Sequence, residues 1–436
     1  MIIRRRKSFF KLIDQIRAVE RDRDDLRTVR RINRLVIAEI LRAEVSIQQH
    51  RKAYRELTRE LKNSSPDRVT SKAIRTRIRR ATERIGEQED QIFIWKCFGD
   101  ALAFVYLDKF SIKHAYFEID QLGVKHDAGR ISGKDGLKME IACLEAALQH
   151  NVPAVLCDIT NVLRYGDVCL LGGVDPCLVE VKSSPRLSVR GRRQMEKIGR
   201  LHSFFETDKA EAFRGTSGTT ARATLSVPER TNVDALNACI ADAQVKGHAI
   251  ASPEAGLSYI AIYDGVDIDE VFDKLTTRPA NVFVLNGDKN DHAWCPFVPF
   301  ILTIRDSHRL LDFIEGRLSL VVTIDPEPMC RSMSGDGWTV RYSPTGDYAL
   351  HCFYPEEAAY VAVSRQFLFR AAYEFTSLSW IGEVHRPSLE NMEEYARQSG
   401  YEVVEVSEAE KTAAYLERLR YALGEGHPWI EEMSPP

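Results

Sequence analysis

The sequence predicts an α/β protein preceded by a helical arm, and three observations carry that expectation. The first 65 residues hold neither Gly nor Pro, so nothing in them breaks a helix. Apolar residues at heptad spacing run through much of the same stretch. From about residue 136, short β-branched runs alternate with amphipathic ones, the pattern of strands interleaved with helices. With 436 residues, 44% of them hydrophobic, the chain has core material for two or three domains. The boundaries read as 1–100 for the helical arm, 101–230 for a small sheet domain and 231–436 for a C-terminal α/β region of unassigned role.

The arm comes first. Leu26, Val29, Asn33, Val36, Ile40, Ala43, Ile47, His50, Tyr54, Leu57 and Leu61 form one seam. Asn63-Ser64-Ser65-Pro66-Asp67 supplies a stop and a fresh N-cap. Ile74, Ile78, Ala81, Ile85, Gln88, Ile92 and Trp95 form a second seam. Two such helices joined by a short polar turn fold back as an antiparallel coiled-coil hairpin, about 50 Å long at 1.5 Å per residue. Asn33, His50 and Gln88, polar at seam positions, are expected to set its register. A projecting arm suits dimerisation or contact with a partner protein. Residues 1–90 also contain 25 Lys/Arg against 14 Asp/Glu, while the remainder holds 35 against 49. That asymmetry implies either an anionic partner or an internal docking surface.

The sheet region follows. Gly136–His150 reads as a helix with Leu137, Ile141, Leu144 and Leu148 on its core face. Val152–Ile159 reads as a strand, and Asp167–Leu171 with Cys177–Lys182 as a hairpin. With Gly173 and Val174 at the turn centre, Asp167 falls across from Glu180, Cβ atoms about 5 Å apart. Glu180 and Lys182, two apart, share a face. Two carboxylates and an ammonium inside an apolar strand pair are costly to bury unless they pair or hold a metal. A basic helix, Arg190–Phe205, carries Arg192, Arg193, Gln194, Lys197 and Arg200, and Arg214–Thr224 reads as a loop. This order builds a small mixed sheet flanked by helices. Beyond it, Val233–Val245, Glu356–Glu374, Leu389–Ser399 and Glu408–Leu423 read as helices. Leu257–Tyr263, Val282–Leu285 and Leu318–Ile324 read as strands.

Asp167 with Glu180-Val181-Lys182, after a helix carrying Glu and before one carrying Gln, resembles the PD-(D/E)xK superfamily of restriction-endonuclease-like nucleases. The resemblance spans about residues 136–205. Spacing alone carries little, since Glu60-Leu61-Lys62 repeats it inside the arm. The apolar strand context and the partner Asp167 distinguish Glu180-Val181-Lys182. The resemblance implies a restriction-endonuclease-like fold and a Mg²⁺ site, with Mn²⁺ able to substitute. Its ligands would be Asp167, Glu180, the main-chain carbonyl of Val181 and a helix acid, Glu140 or Glu145. Lys182 would orient and help deprotonate the attacking water, and Gln194 would contact substrate or a catalytic group. Asp158 and Asp175 are rivals to Asp167, although Asp175 sits in the turn and is better placed to shape it. Arg192, Arg193, Lys197 and Arg200 would hold phosphates. Two departures stand out: Gly166 replaces the name-giving Pro, and Ile198 stands where some branches carry Tyr four residues after the Gln.

The implied activity is Mg²⁺-dependent DNA endonuclease cleavage, leaving 5′-phosphate and 3′-hydroxyl ends, in a bacterial genome-defence setting by analogy. An RNase on the same scaffold, or a non-catalytic binding scaffold, are the alternatives. Nine cysteines are scattered with no C-x-x-C pair, as small hydrophobes in a reducing compartment are. No apolar run approaches the roughly 20 residues of a membrane span, so the expected location is cytoplasmic. No Walker A loop, HNH cluster or Arg–His pair at five-residue offset is present.

Overall fold

The computed structural model describes residues 2–435 except 65, 127–128, 183–188, 217, 223–224, 226, 266–270, 272–280, 288–290 and 399–406. The chain divides into two compact units, residues 1–220 with 288–315, and residues 221–287 with 316–436.

The heptad seams become α2 (Leu26–Asn63) and α3 (Arg68–Tyr106), preceded by α1 (Arg6–Arg21). Asp25 caps α2 by accepting the Thr28 amide, and Asp67 caps α3 by accepting those of Val69 and Thr70. Val29, Val36, Ile40, Ile47, Leu57, Ile74 and Ala81 are buried as the seams require. The chain returns to this unit at 288–315, where Arg17 donates to the Ile301 and Ile304 carbonyls, and Ile3 and Arg6 bond Glu315.

The small sheet follows α4 (Lys109–Tyr116) and α5 (Leu137–Gln149). Its strands are β1 (Ala154–Leu156), β2 (Val168–Leu170) and β3 (Cys177–Val179), in the order β1-β2-β3. The register Val168↔Val179, Cys169↔Leu178, Leu170↔Cys177 is the one a turn centred on Gly173-Val174 imposes. Both pairings are antiparallel, whereas a mixed sheet was expected. Each link here is a short hairpin or loop, and only a long crossover would make neighbours parallel. The basic helix is α6 (Val189–Thr207). α5 packs on β1 and β2, α6 on β3, and α2 and α3 on β1.

Seam residue Asn33, expected to set the arm's register, instead donates from Nδ2 to the Ala154 carbonyl of β1. Arg30 and Arg34 of α2 pair with Glu145 of α5. Such half-exposed pairs contribute under about 1 kcal/mol each. Each buried seam Val or Ile contributes about 1.5–3 kcal/mol, so apolar contact, chiefly between α2 and α3, outweighs the pairs.

In the second unit, Leu257–Tyr263 lies between His248–Glu254 and Leu318–Ile324, with Asn281–Val284 beyond, all antiparallel. The expected helix Glu356–Glu374 is a strand, Ala359–Ser364, followed by a helix, Arg365–Tyr373. Tyr360-Val361-Ala362-Val363 pairs with Tyr348–Tyr354, a contact that overrides the helical spacing. Ser399 of the expected helix 389–399, and Ser217, Ala223 and Thr224 of the expected loop, lie outside the described residues.

Candidate functional site

A cleft of about 670 Å³ in the first unit is lined by Glu140, Asp158, Asp167, Glu180, Val181, Lys182, Arg193, Gln194 and Lys197, with Lys125, Lys134 and Arg164 among its cations. Most of the residues singled out in the sequence therefore share one cavity. Ser183 and Ser184, which follow Lys182, lie outside the described residues.

Local structure explains each position. Gly166 has φ +73°, and a Cβ there would lie 2.9 Å from the Val179 carbonyl oxygen. Pro, fixed near −65°, has no place at 166. The turn lets the Asp167 amide bond the Val179 carbonyl at 2.8 Å. That bond is one residue off the regular ladder, so the strict opposition of Asp167 and Glu180 is lost, yet both line the same cleft. The Val181 amide donates to Asp167 Oδ2 at 2.8 Å. Glu180 pairs with Lys182 through Oε1, while its Oε2 is buried without a partner.

The loop before β2 is pinned from α3. Asp100 accepts the amides of Asn161 and Val162 and the Asn161 side chain. Burial raises its carboxyl to about 7 despite these hydrogen bonds. A Cβ on Gly99 would meet the Ile159 oxygen at 2.1 Å, so the loop lies directly on the helix. This packing presents Asp158 from a 3₁₀ turn, Cys157–Ile159.

Sequence reasoning missed Lys134, and it stands at the centre. Its Nζ lies 2.9 Å from Glu140 Oε1, 2.8 Å from Asp158 Oδ2 and 3.1 Å from Asp167 Oδ1. Buried Glu44 of α2 accepts the amides of Ile131 and Ser132 at 2.9 and 2.6 Å, fixing the loop that carries Lys134. Burial alone would depress the ammonium's pKa; hydrogen bonds to Asp158 and Glu140 and nearby negative charge outweigh it, so the net shift is upward. Burial raises the Glu140 carboxyl, with the Lys134 bond opposing and the Asp167 charge adding. Glu140 Oε2 is also buried and unpartnered. The only sequence signal was a lysine between two glycines just ahead of the acid-bearing helix.

Of the two helix acids, Glu140 lines the cleft and Glu145 is held by Arg30 and Arg34. Asp158 stands beside Asp167 rather than replacing it, and Asp175 in the hairpin turn accepts the Ser111 hydroxyl. Gln194 is half-buried, and Arg192 and Arg193 are exposed, with Arg193 alone of the two lining the cleft. Lys197 is held by Glu118 and Asp120, and Arg200 by Asp120, so acids already answer their charge. Lys125 Nζ sits 3.4 Å over the Tyr165 ring, and burial pulls its pKa to about 8.

Among the described residues no group of three or more His, Cys, Asp or Glu is arranged as a ready metal site. The carboxylates fan around an ammonium at 2.8–3.1 Å, whereas Mg²⁺–oxygen contacts are about 2.0–2.1 Å. The donor chemistry nonetheless suits a hard cation: carboxylate oxygens only, two of them buried and unsatisfied. Comparison with family models, curated proteins and solved structures gives no significant match to this chain. Among the described residues no helix is long and apolar enough to cross a membrane.

Proposed function

We propose that this cleft is a divalent-cation-dependent phosphodiesterase site of the PD-(D/E)xK kind, acting on nucleic acid, with DNA endonuclease cleavage as the activity. One observation carries the reading. Glu140, Asp158 and Asp167 converge on a single cationic atom, and Glu180 with Lys182 lines the same cleft with one carboxylate oxygen unspent. Burying four acids together is expensive unless positive charge is to be held there.

In this reading Asp167, Glu180, Glu140 and the Val181 carbonyl would hold Mg²⁺ or Mn²⁺. The ion would supply a more acidic water and polarise the scissile phosphate. Lys182 orients the attacking water and takes part in its deprotonation. The water oxygen forms a bond to phosphorus as the bond to the 3′ oxygen breaks, leaving 5′-phosphate and 3′-hydroxyl ends. Arg193 and Gln194 steady the phosphate from α6. Lys134 holds Glu140, Asp158 and Asp167 together, and a bound cation would supply that positive charge to Glu140 and Asp167 in its stead. A homodimer would place two such sites on the two strands of a duplex.

Lys134 also favours a second reading, a non-catalytic scaffold in which the ammonium has permanently replaced the metal. One experiment separates the two: incubate supercoiled plasmid and a structured RNA with Mg²⁺, Mn²⁺ or chelator, beside Lys182→Ala. The nuclease reading expects metal-dependent nicking that falls at least about a hundredfold in the variant. Cleavage indifferent to chelation and to Lys182 contradicts the proposed chemistry, and no cleavage at all supports the scaffold.

A further inference from the structure

The structure sorts the basic charges of the first ninety residues into two groups. Those near the body are spent internally: Arg5 and Arg42 on Glu39, Arg6 on Glu315, Arg30 and Arg34 on Glu145. The hairpin end differs. Residues 51–80 hold 11 Lys/Arg against 3 Asp/Glu. Arg68, Lys72, Arg75 and Arg79 of α3 are all exposed and line one shallow groove with Ser71 and Thr76. Spaced i, i+4, i+7 and i+11, they fall within about 60° of the helix surface and extend over about 16 Å. Arg68, Lys72 and Arg75 make no ion pair among the described residues, and Arg79 has only a loose, exposed one with Glu83 at 3.5 Å. Asp67, the residue before Arg68, is consumed by capping the helix.

We infer that this stripe is a phosphate-binding rail for the backbone of double-stranded DNA. Like charges held together on one helix face destabilise it slightly, so an external anion is what would offset the repulsion. The guanidinium and ammonium groups suit phosphate oxygens, while the Ser71 and Thr76 hydroxyls already donate to the Pro66 and Lys72 carbonyls. No aromatic side chain lies in the stripe on which an unpaired base could stack, which argues against single strands. Phosphate contacts alone do not tell a DNA duplex from an RNA one, so the choice of DNA rests on the proposed endonuclease reading.

The test is binding of a labelled DNA duplex in chelator, where no cleavage occurs, over a series of salt concentrations. The full chain is compared with Arg68→Gln/Lys72→Gln/Arg75→Gln/Arg79→Gln and with Arg68→Lys/Arg75→Lys/Arg79→Lys. The neutral variant is expected to bind at least tenfold more weakly at 0.1 M salt. Its log–log salt slope should be shallower by about 3. The all-lysine variant should keep the slope, and helicity and sedimentation mass should be unchanged in both. Equal binding by wild type and neutral variant, or no duplex binding by wild type, overturns the rail. So does a shift in mass, which would make the stripe a self-assembly surface, or selective loss of binding to anionic vesicles. If the rail passes while no metal-dependent cleavage is ever seen, only the nuclease reading falls.

Discussion

On the proposed reading the ammonium of Lys134 and a divalent cation would compete for two shared carboxylates, Glu140 and Asp167, and that competition would be measurable at the scale of one residue. Lys134→Met removes the only positive atom within 3.1 Å of Glu140, Asp158 and Asp167 among the described contacts. In chelator the variant should lose several kcal/mol of stability, of the order of 3–5 for an uncompensated buried charge. Mg²⁺ should restore most of it, and calorimetric affinity for Mn²⁺ should rise at least tenfold over wild type. Equal affinity in the two proteins would show that the ammonium and the metal do not share a seat. Lys134 itself was not legible in the sequence, because its role depends on Glu44 folding the 131–134 loop inward from a helix nearly ninety residues earlier. Gly166 is the opposite case: the residue was plain in the sequence, and its positive φ and close approach to the Val179 carbonyl explain it.

At the scale of elements, the contact between α3 and the loop before β2 decides whether the acids converge. Gly99→Ala places a methyl 2.1 Å from the Ile159 oxygen, so the helix or the Asp158 turn must move. Urea unfolding should show a loss of about 1–3 kcal/mol, typical of overpacking. An unchanged midpoint would mean that the loop is not seated on the helix. The long helices were legible because seam and caps agree, and the hairpin register because the glycine turn fixes it. The strand Ala359–Ser364 was not, because its pairing partner Tyr348–Tyr354 was itself unread. Asn33 was visible as a polar seam residue, but its target, a carbonyl of β1, is a long-range contact that no heptad pattern reveals.

Over the whole molecule, burial of Asp100 ties stability to pH. Its carboxyl titrates near 7 in the folded chain against an ordinary 3.8, so between these values the folded state binds more protons than the unfolded one. Its contribution to stability is therefore greatest at low pH and declines as pH rises through that window, by at most about 1.4 kcal/mol per unit. The margin of wild type over Asp100→Asn should shrink from pH 4.5 to 7.5 in thermal unfolding, and a constant margin would contradict the assignment. The sequence showed that this chain carries an acid–acid–lysine cluster on a small sheet behind a helical hairpin. It did not show that residues 288–315 return to the same unit, since nothing local marks that excursion. The proposed chemistry depends most on a cation seat at Glu180, and titrating Mn²⁺ into wild type and Glu180→Gln by calorimetry without substrate tests it directly. Saturable binding by wild type, weakened at least tenfold in the variant, is the expected result. Absence of binding, or affinity indifferent to Glu180, would contradict it.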